Sequence, residues 1–405
     1  VTAETRNSTI LTASFLLWCV LLTYPLMTVS RDYGLENRVI LYQIIGFGQY
    51  AVIAVALYAS RMFRLLSGYD HLQNFILLTF LLSIGLQLHG DGALILGGIA
   101  YTIALILVIL LLSLLFTLPD KAIAGWGGGA AAVFLSFAVV AIALFGWPKD
   151  RYVGEIHPNF TGSILLAGFI FAQFRKGLPM LLVKVGCLVL SAVVSSRFAM
   201  IGCVLAFLVF EMTFKPLNPR LLLLIGLFAV GGALFSNQLL DVLALDDPAR
   251  GVNSGFTGRT DEWASALDSL ASNPFGVGFK RAVADVEGRA IGHNGYLKVL
   301  LEFGILGGGL INLAVIAIVL RAPFTAIMSP NGDSVRRRIL CARAAGLVAL
   351  AFASLFQPQI FNFGDAHGIS CMLLLFAPRL ARARRLAPGG PIVPYRSRPA
   401  GHPAI

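Results

Sequence analysis

Charge is scarce in this chain. Only 13% of its 405 residues are Asp, Glu, Lys or Arg, 57% are hydrophobic, and the mean hydropathy is +0.82. A soluble globular domain carries about 25% charge, so that class is excluded. Intrinsic disorder is excluded too, because it needs high charge and few apolar side chains. Cysteine is equally thin. Cys19, Cys187, Cys203, Cys341 and Cys371 all lie inside apolar runs and form no CxxC or Cys/His pair. They read as small buried hydrophobes, with no structural disulfide and no zinc site. No DxD, HExxH or acidic cluster stands in the polar connections apart from Asp246-Asp247, which reads as a solvated turn. Catalytic metal sites need convergent His and carboxylate ligands, so no metal and no cofactor is expected.

What the chain has instead is apolar length. A helix needs about 20 apolar residues to cross a bilayer. Twelve such stretches are read near residues 10–29, 39–59, 72–90, 93–118, 122–147, 160–174, 178–194, 198–213, 220–236, 294–320, 339–357 and 359–378. The expectation is an all-α polytopic membrane protein of about twelve transmembrane helices. The sixth to eighth stretches are short, which predicts tilted or interrupted helices. The first, Ile10–Val29, is long enough to span and lacks a small-residue cleavage site, so no cleavable signal peptide is expected. With no repeat and no Gly/Ser linker, residues 1–386 form one transmembrane domain, with a polar loop at about 237–293. Residues 387–405, rich in Pro, Gly and Arg, form a disordered cytoplasmic tail near anionic lipid.

The net charge of +11 would point to nucleic acid in a soluble protein. Here the basic residues are topology signals. With both termini cytoplasmic, the inner connections hold Arg61, Arg64, Lys121, Arg175, Lys176, Lys215, Arg220 and Arg321, then the run Arg336, Arg337 and Arg338. The outer ones hold far fewer. The 237–293 loop then lies outside, with Arg31–Arg38, His89–Asp91, Lys149–Asn159, Ser195–Arg197 and Gln357–His367. Every polar cluster able to carry chemistry falls on one side, the periplasm of a two-membrane envelope.

Within the outer loop, Thr260 reads as an N-cap, with Asp261 and Glu262 in the first turn of a short helix. Trp263, Ala266, Leu267 and Leu270 follow at helical spacing as its apolar face, and Asn273-Pro274-Phe275-Gly276 ends it. Arg259 at that start suits an anion, or is an ordinary surface arginine. His293 stands where the loop enters a span and is either a general base or a helix-capping histidine. Asn294 follows it. Glu302 lies about two turns inside that span, where a buried carboxylate faces a partner or a cavity. Arg197, after the turn Ser195-Ser196, is a phosphate clamp or a snorkelling side chain. Glu155, His157 and Asn159 open the sixth span, where Pro158 suits a helix start and Gly162 permits close approach. Gln357, Pro358, Gln359, Asn362, Asp365 and His367 read as a sugar-lined groove or as a polar seam between helices.

Four segments in order, HPNFTG, SSRFAMIG, GRTDEW with SNPFGVGF, and HNGYLKVLLEFGILGG, resemble the O-antigen ligase/polymerase superfamily. That superfamily includes lipopolysaccharide O-antigen ligases, Wzy-type polymerases and exopolysaccharide polymerases. The resemblance is strongest over Gly258–Gly308 and looser over about 150–320. It implies a GT-C-like fold of the inner membrane. It also implies metal-independent, inverting transfer of an undecaprenyl-diphosphate-linked oligosaccharide to an acceptor glycan, either lipid A-core or a growing polysaccharide. By the same resemblance Arg197 and Arg259 bind the diphosphate and His293 activates the acceptor. Glu155, His157, Asn159, Asn294 and Glu302 are weaker substrate-binding candidates. The rival readings are a polysaccharide or lipid-linked sugar transporter or flippase, whose midplane would carry charged residues, and a non-catalytic scaffold. Lys184 and Glu302 are the only evident midplane charges.

Overall fold

A computed structural model describes residues 3–28, 37–86, 92–149, 151–215, 255–278, 293–329, 334–358 and 360–378. The helices are α1 (Ala3–Thr23), α2 (Asn37–Gly68), α3 (His71–Leu86), α4 (Gly92–Ser113), α5 (Asp120–Phe145), α6 (Pro158–Ala172), α7 (Leu178–Val193) and α8 (Arg197–Phe214). They continue with α9 (Gly255–Ser272), α10 (Gly295–Ile327), α11 (Ser334–Ala353) and α12 (Ala366–Leu375). There is no strand among the described residues. The ninth predicted span, most of the polar loop with Asp246 and Asp247, the exits Arg31–Glu36 and His89–Asp91, Gln359 and the tail lie outside the described residues. Helices occupy the other eleven predicted stretches.

Five segments, Ala3–Met27, Gly98–Thr117, Asp120–Phe145, Arg197–Phe214 and Gly295–Ile327, are long and apolar enough to cross a membrane, and five shorter apolar helices accompany them. The outward faces fit lipid. Leu306, Leu313, Leu320 and Phe324 are 63–74% exposed along one side of α10. A stripe of that size is rare on a water-soluble monomer. All five cysteines are free and buried.

The inner core is built around α6. Thirteen of its fifteen residues are buried, as expected for a helix apolar on every side. It packs against α5, α7, α8, α11 and α12. Close approach comes from small residues, as between membrane helices generally: a side chain at Gly202 would collide with Leu166 of α6, and one at Gly346 with Ile170. Trp126 of α5 is fully buried among the rings of Phe15, Phe116, Phe171 and Phe174.

The connections sort to two ends of the bundle. At one end Arg321 pairs with Asp70 in the α2–α3 turn. There Gln73 Nε2 donates to the carbonyls of Leu375 (2.7 Å) and Ala377 (3.1 Å), Arg343 Nε donates to Leu374 O (2.8 Å), and Arg338 lies over Phe210 and Phe214. The opposite end gathers the α5–α6 connection, the α7–α8 turn, α9 and the start of α10.

At α10 the structure departs from the predicted single span. Gly304 has φ 78° and ψ 173°, and the helix breaks there. Asn312 Nδ2 reaches the carbonyl of Tyr296 at 3.0 Å. Along a straight helix those residues would stand about 24 Å apart. The short arm, 295–303, therefore folds back beside the long arm, 305–327. The long arm alone is about 34 Å long, enough for a bilayer. Glu302 accordingly ends the short arm and does not lie two turns inside a span.

The segment Asn273–Gly278 fills the break. Val277 N–H donates to Leu301 O (2.8 Å), Gly278 N–H to Glu302 O (3.0 Å), and Ile305 N–H to Pro274 O (2.8 Å). Helix bonds lost at the kink are thus replaced by loop backbone, as buried amides require. Gly276, at φ 87°, touches Gly304 backbone to backbone. A Cβ on Gly304 would lie 2.5 Å from the Phe275 carbonyl carbon, and one on Gly276 would lie 2.8 Å from Glu302 O.

Candidate functional site

The site end is assembled from four pieces of chain. The first is the α5–α6 connection, which turns through two isolated bridges, Lys149 with Tyr152 and Val153 with Ile156. Arg151 lies in it with φ 78°. Ser195, in the α7–α8 turn, has φ 48°, and these two are the non-glycine residues of positive φ among those described. Such outliers cost free energy and cluster at functional sites. They also meet: Arg151 Nη2 points at Ser195 O, 3.5 Å away.

His157 is the N-cap of α6. Its Nδ1 accepts from Asn159 N–H at 3.1 Å, with Pro158 in the first turn. The ring must therefore be unprotonated at Nδ1. Burial lowers its pKa to about 4, helped by the charges of Arg151, His293 and Arg259. The first turn of α6 docks on the α7–α8 turn because position 162 is glycine. A Cβ there would sit on the Ser196 side chain, 2.7 Å from its Cβ and 3.2 Å from the Phe198 ring. Arg197 begins α8 immediately after. The hydroxyls of Thr161 and Ser196 are buried here without a hydrogen-bond partner among the described residues.

The third piece is α9. It starts at Gly255, earlier than the predicted Thr260 cap. Two glycines cost a helix only about 1 kcal/mol each relative to Ala, too little to stop it. Arg259 thus lies in the second turn and is not held at a helix N-terminus. Ala266 and Leu270 are buried against Leu301, with Val277, Leu297 and Leu300 around them. Leu267 of the predicted apolar face is 52% exposed. Arg259 lies 5.8 Å from the centroid of the Phe356 ring, a cation–π distance. Its guanidinium pKa is lowered by burial and further by Arg197, against the opposing pull of Glu262. The two arginines therefore feel each other's charge.

The fourth piece is the entrance to α10. Asn294 is its N-cap, with Oδ1 accepting from Tyr296 N–H (2.9 Å) and Leu297 N–H (3.1 Å). Gly295 N–H donates to Ser354 O at 2.7 Å, and Tyr296 Oη donates to Ala351 O at 3.0 Å. These bonds hold the main chain of His293. Its Nδ1 stands 3.0 Å from Glu262 Oε2, which also accepts from His293 N–H at 3.4 Å.

The three residues expected to carry chemistry, Arg197, Arg259 and His293, are therefore brought to one end of the bundle, with His157 and Arg151 beside them. The weaker candidates divide. Glu155 is exposed, and Asn159 meets His157 through its backbone. Asn294 spends its carbonyl oxygen as a cap, and Glu302 is buried, 3.8 Å from Lys298 Nζ. The outer residues after α11 form a seam. Gln357 is buried, Asp365 caps α12 through Gly368 N–H (2.8 Å), and His367 Nε2 meets Ser354 Oγ at 3.0 Å. Two residues escaped the sequence reading of the site. Glu262 looked like a first-turn acid, because its partner is 31 residues away. Arg151 was not singled out within Lys149–Asn159, and its positive φ and its approach to Ser195 O mark it.

Residues 159–311 match the sequence profile of a family described as O-Antigen ligase. The match spans 153 of the 405 residues. The match supports the superfamily that the four motifs resemble, and its bounds include Arg197, Arg259, Glu262 and His293. No curated protein matches the chain. The matched region runs from the first turn of α6 into the long arm of α10, and the fold-back at Gly304 lies within it. The match supports a role in glycan assembly, and the five long apolar segments suit a multi-pass membrane protein.

Proposed function

We propose that the chain is a metal-independent, inverting glycosyltransferase that moves a polyprenyl-diphosphate-linked oligosaccharide en bloc onto an acceptor glycan. The observation that carries this reading is the convergence of Arg197, Arg259 and His293, with Arg151, at one end of a bundle that carries the O-antigen ligase match. In this reading that end faces the periplasm, both termini are cytoplasmic, and the donor is undecaprenyl-diphosphate-linked.

The chemistry follows from charge. The leaving group is a lipid diphosphate, which gains negative charge as its bond to the sugar breaks. Guanidinium groups already fixed in a partly buried site stabilise that charge without reorganising, and their forks match phosphate oxygens. Arg197 and Arg259 repel each other, and a bound diphosphate relieves that repulsion. The acceptor hydroxyl gives its proton to His293 while its oxygen bonds to the anomeric carbon from the face opposite the leaving group. The sugar–phosphate bond breaks with its electron pair on the diphosphate. The lipid tail slides in between helices from the membrane.

The test is reconstitution in nanodiscs with an undecaprenyl-diphosphate-linked oligosaccharide, with and without lipid A-core, read by gel and mass spectrometry. Transfer to lipid A-core that R197A and H293A both lose identifies a ligase. Lengthening of the donor glycan without that acceptor identifies a polymerase. No transfer, with donor lipid crossing a proteoliposome membrane, overturns the reading in favour of transport.

A further inference from the structure

We propose that Glu262 is the positioning residue of His293, fixing its ring so that Nε2 is the atom that takes the acceptor proton. The inference rests on the function proposed above and adds a residue to it. One carboxylate oxygen, Oε2, meets both the ring Nδ1 at 3.0 Å and the backbone N–H of the same residue at 3.4 Å. An ionised carboxylate only accepts hydrogen bonds. Nδ1 therefore carries the ring proton, and in the neutral imidazole the lone pair falls on Nε2.

The surroundings leave the ring little else to do. The main chain on its C-terminal side is anchored by the Asn294 cap and the Gly295–Ser354 bond. Glu262 is anchored in turn because α9 is docked on the short arm of α10 through Ala266, Leu270 and Leu301. The charged groups around His293 come from every neighbouring element. Glu262 on α9 touches the ring; His157 on the α5–α6 connection feels His293, Arg151 and Arg259, and Arg197 on α8 acts on Arg259. Among the described residues Glu262 is the carboxylate in contact with the ring, and the other neighbours are mostly cations.

That asymmetry matters after proton transfer. The acceptor O–H proton moves to Nε2 as the new carbon–oxygen bond forms and the diphosphate departs with the old bonding pair. The ring is then an imidazolium among arginines, and the Glu262 carboxylate balances it until the proton passes to water. Arg259 stands three residues before Glu262 on the same helix. One element therefore holds both the group for the leaving phosphate and the group for the base.

The experiment measures kcat and donor KM for the full chain in nanodiscs, with lipid-diphosphate-linked oligosaccharide and acceptor, for E262Q, E262D, E262A, H293A and the double variant E262A/H293A. Base catalysis contributes typically 10²–10⁴-fold. E262Q is expected to lower kcat roughly 10–100-fold, part of that range, with donor KM little changed. E262D is expected to recover part of the loss. E262A is expected to cost nothing further in the H293A background, because residues acting as a unit are not additive. E262Q that raises donor KM and leaves kcat unchanged would overturn the inference and place Glu262 with Arg259 on the donor. Loss of activity in H293A with wild-type rates in E262Q would sink the Glu262 role alone. Wild-type rates in H293A would sink the base reading itself. Because E262Q and E262D keep size or charge, one of them remains readable even if E262A fails to fold.

Discussion

At the scale of single residues, His157 shows how one histidine can be tied to neutrality by its job. It caps α6 through an unprotonated Nδ1, and burial with nearby cations lowers its pKa to about 4 from 6.5. Between those values the unfolded chain binds a proton that the folded chain does not. The contribution is complete above about pH 6.5 and is lost as the pH falls toward 4. The thermal midpoint of the protein in nanodiscs should therefore drop over that window, and H157N, which can still cap but does not titrate, should flatten the drop. His293 has a different neighbour, a carboxylate at 3.0 Å. Two histidines at one end of one bundle are thereby set to different tasks by what touches them.

At the scale of elements, the break in α10 is the feature most exposed to test. Ala at Gly304 would meet the Phe275 carbonyl and would have to adopt φ 78°. The backbone strain alone is worth about 1–3 kcal/mol, and the collision adds to it. G304A and G276A should lower the thermal midpoint and the activity together. G309A, where a Cβ meets nothing within 4 Å, should leave both near wild type. This element also marks what the chain does and does not disclose. The apolar stretch 294–320 reads as one span because hydropathy is blind to direction, and Gly304 is one glycine among several there. The positions of most helices, the short α6 and α7, the close approach at Gly162 and the buried cysteines were legible, since each depends on local composition; α8, expected to be short, is long and apolar enough to cross a membrane. The pairing of Glu262 with His293 and the contact of Arg151 with Ser195 were not. Each joins segments far apart in the chain, 31 and 44 residues respectively, and no periodicity encodes such a meeting.

At the scale of the whole molecule, two sets of connections occupy opposite ends. The set rich in Lys and Arg includes Arg175, Lys176, Lys215 and Arg336–Arg338, and the other set holds the candidate site. By the positive-inside rule the Lys/Arg-rich end is expected on the cytoplasmic side and the site end outside, as in the proposed function. Glu155 and Lys176 are exposed near opposite ends of α6, and the five native cysteines are buried. In whole cells with a permeable outer membrane, a membrane-impermeant maleimide should label E155C and not K176C, and K176C should react only after the inner membrane is opened. Labelling of K176C first would invert the topology and put the site on the wrong side for the proposed reaction.

The pinning of Gly278 and His293 reaches beyond stability. The chain that joins them leaves from a backbone bond to Glu302 and returns at a residue held by Glu262 and the Gly295–Ser354 bond. Among the described residues, Gly278 is held by Glu302 O and His293 by Glu262. His293 is therefore placed by contacts between helices, as a tool is held in a clamp.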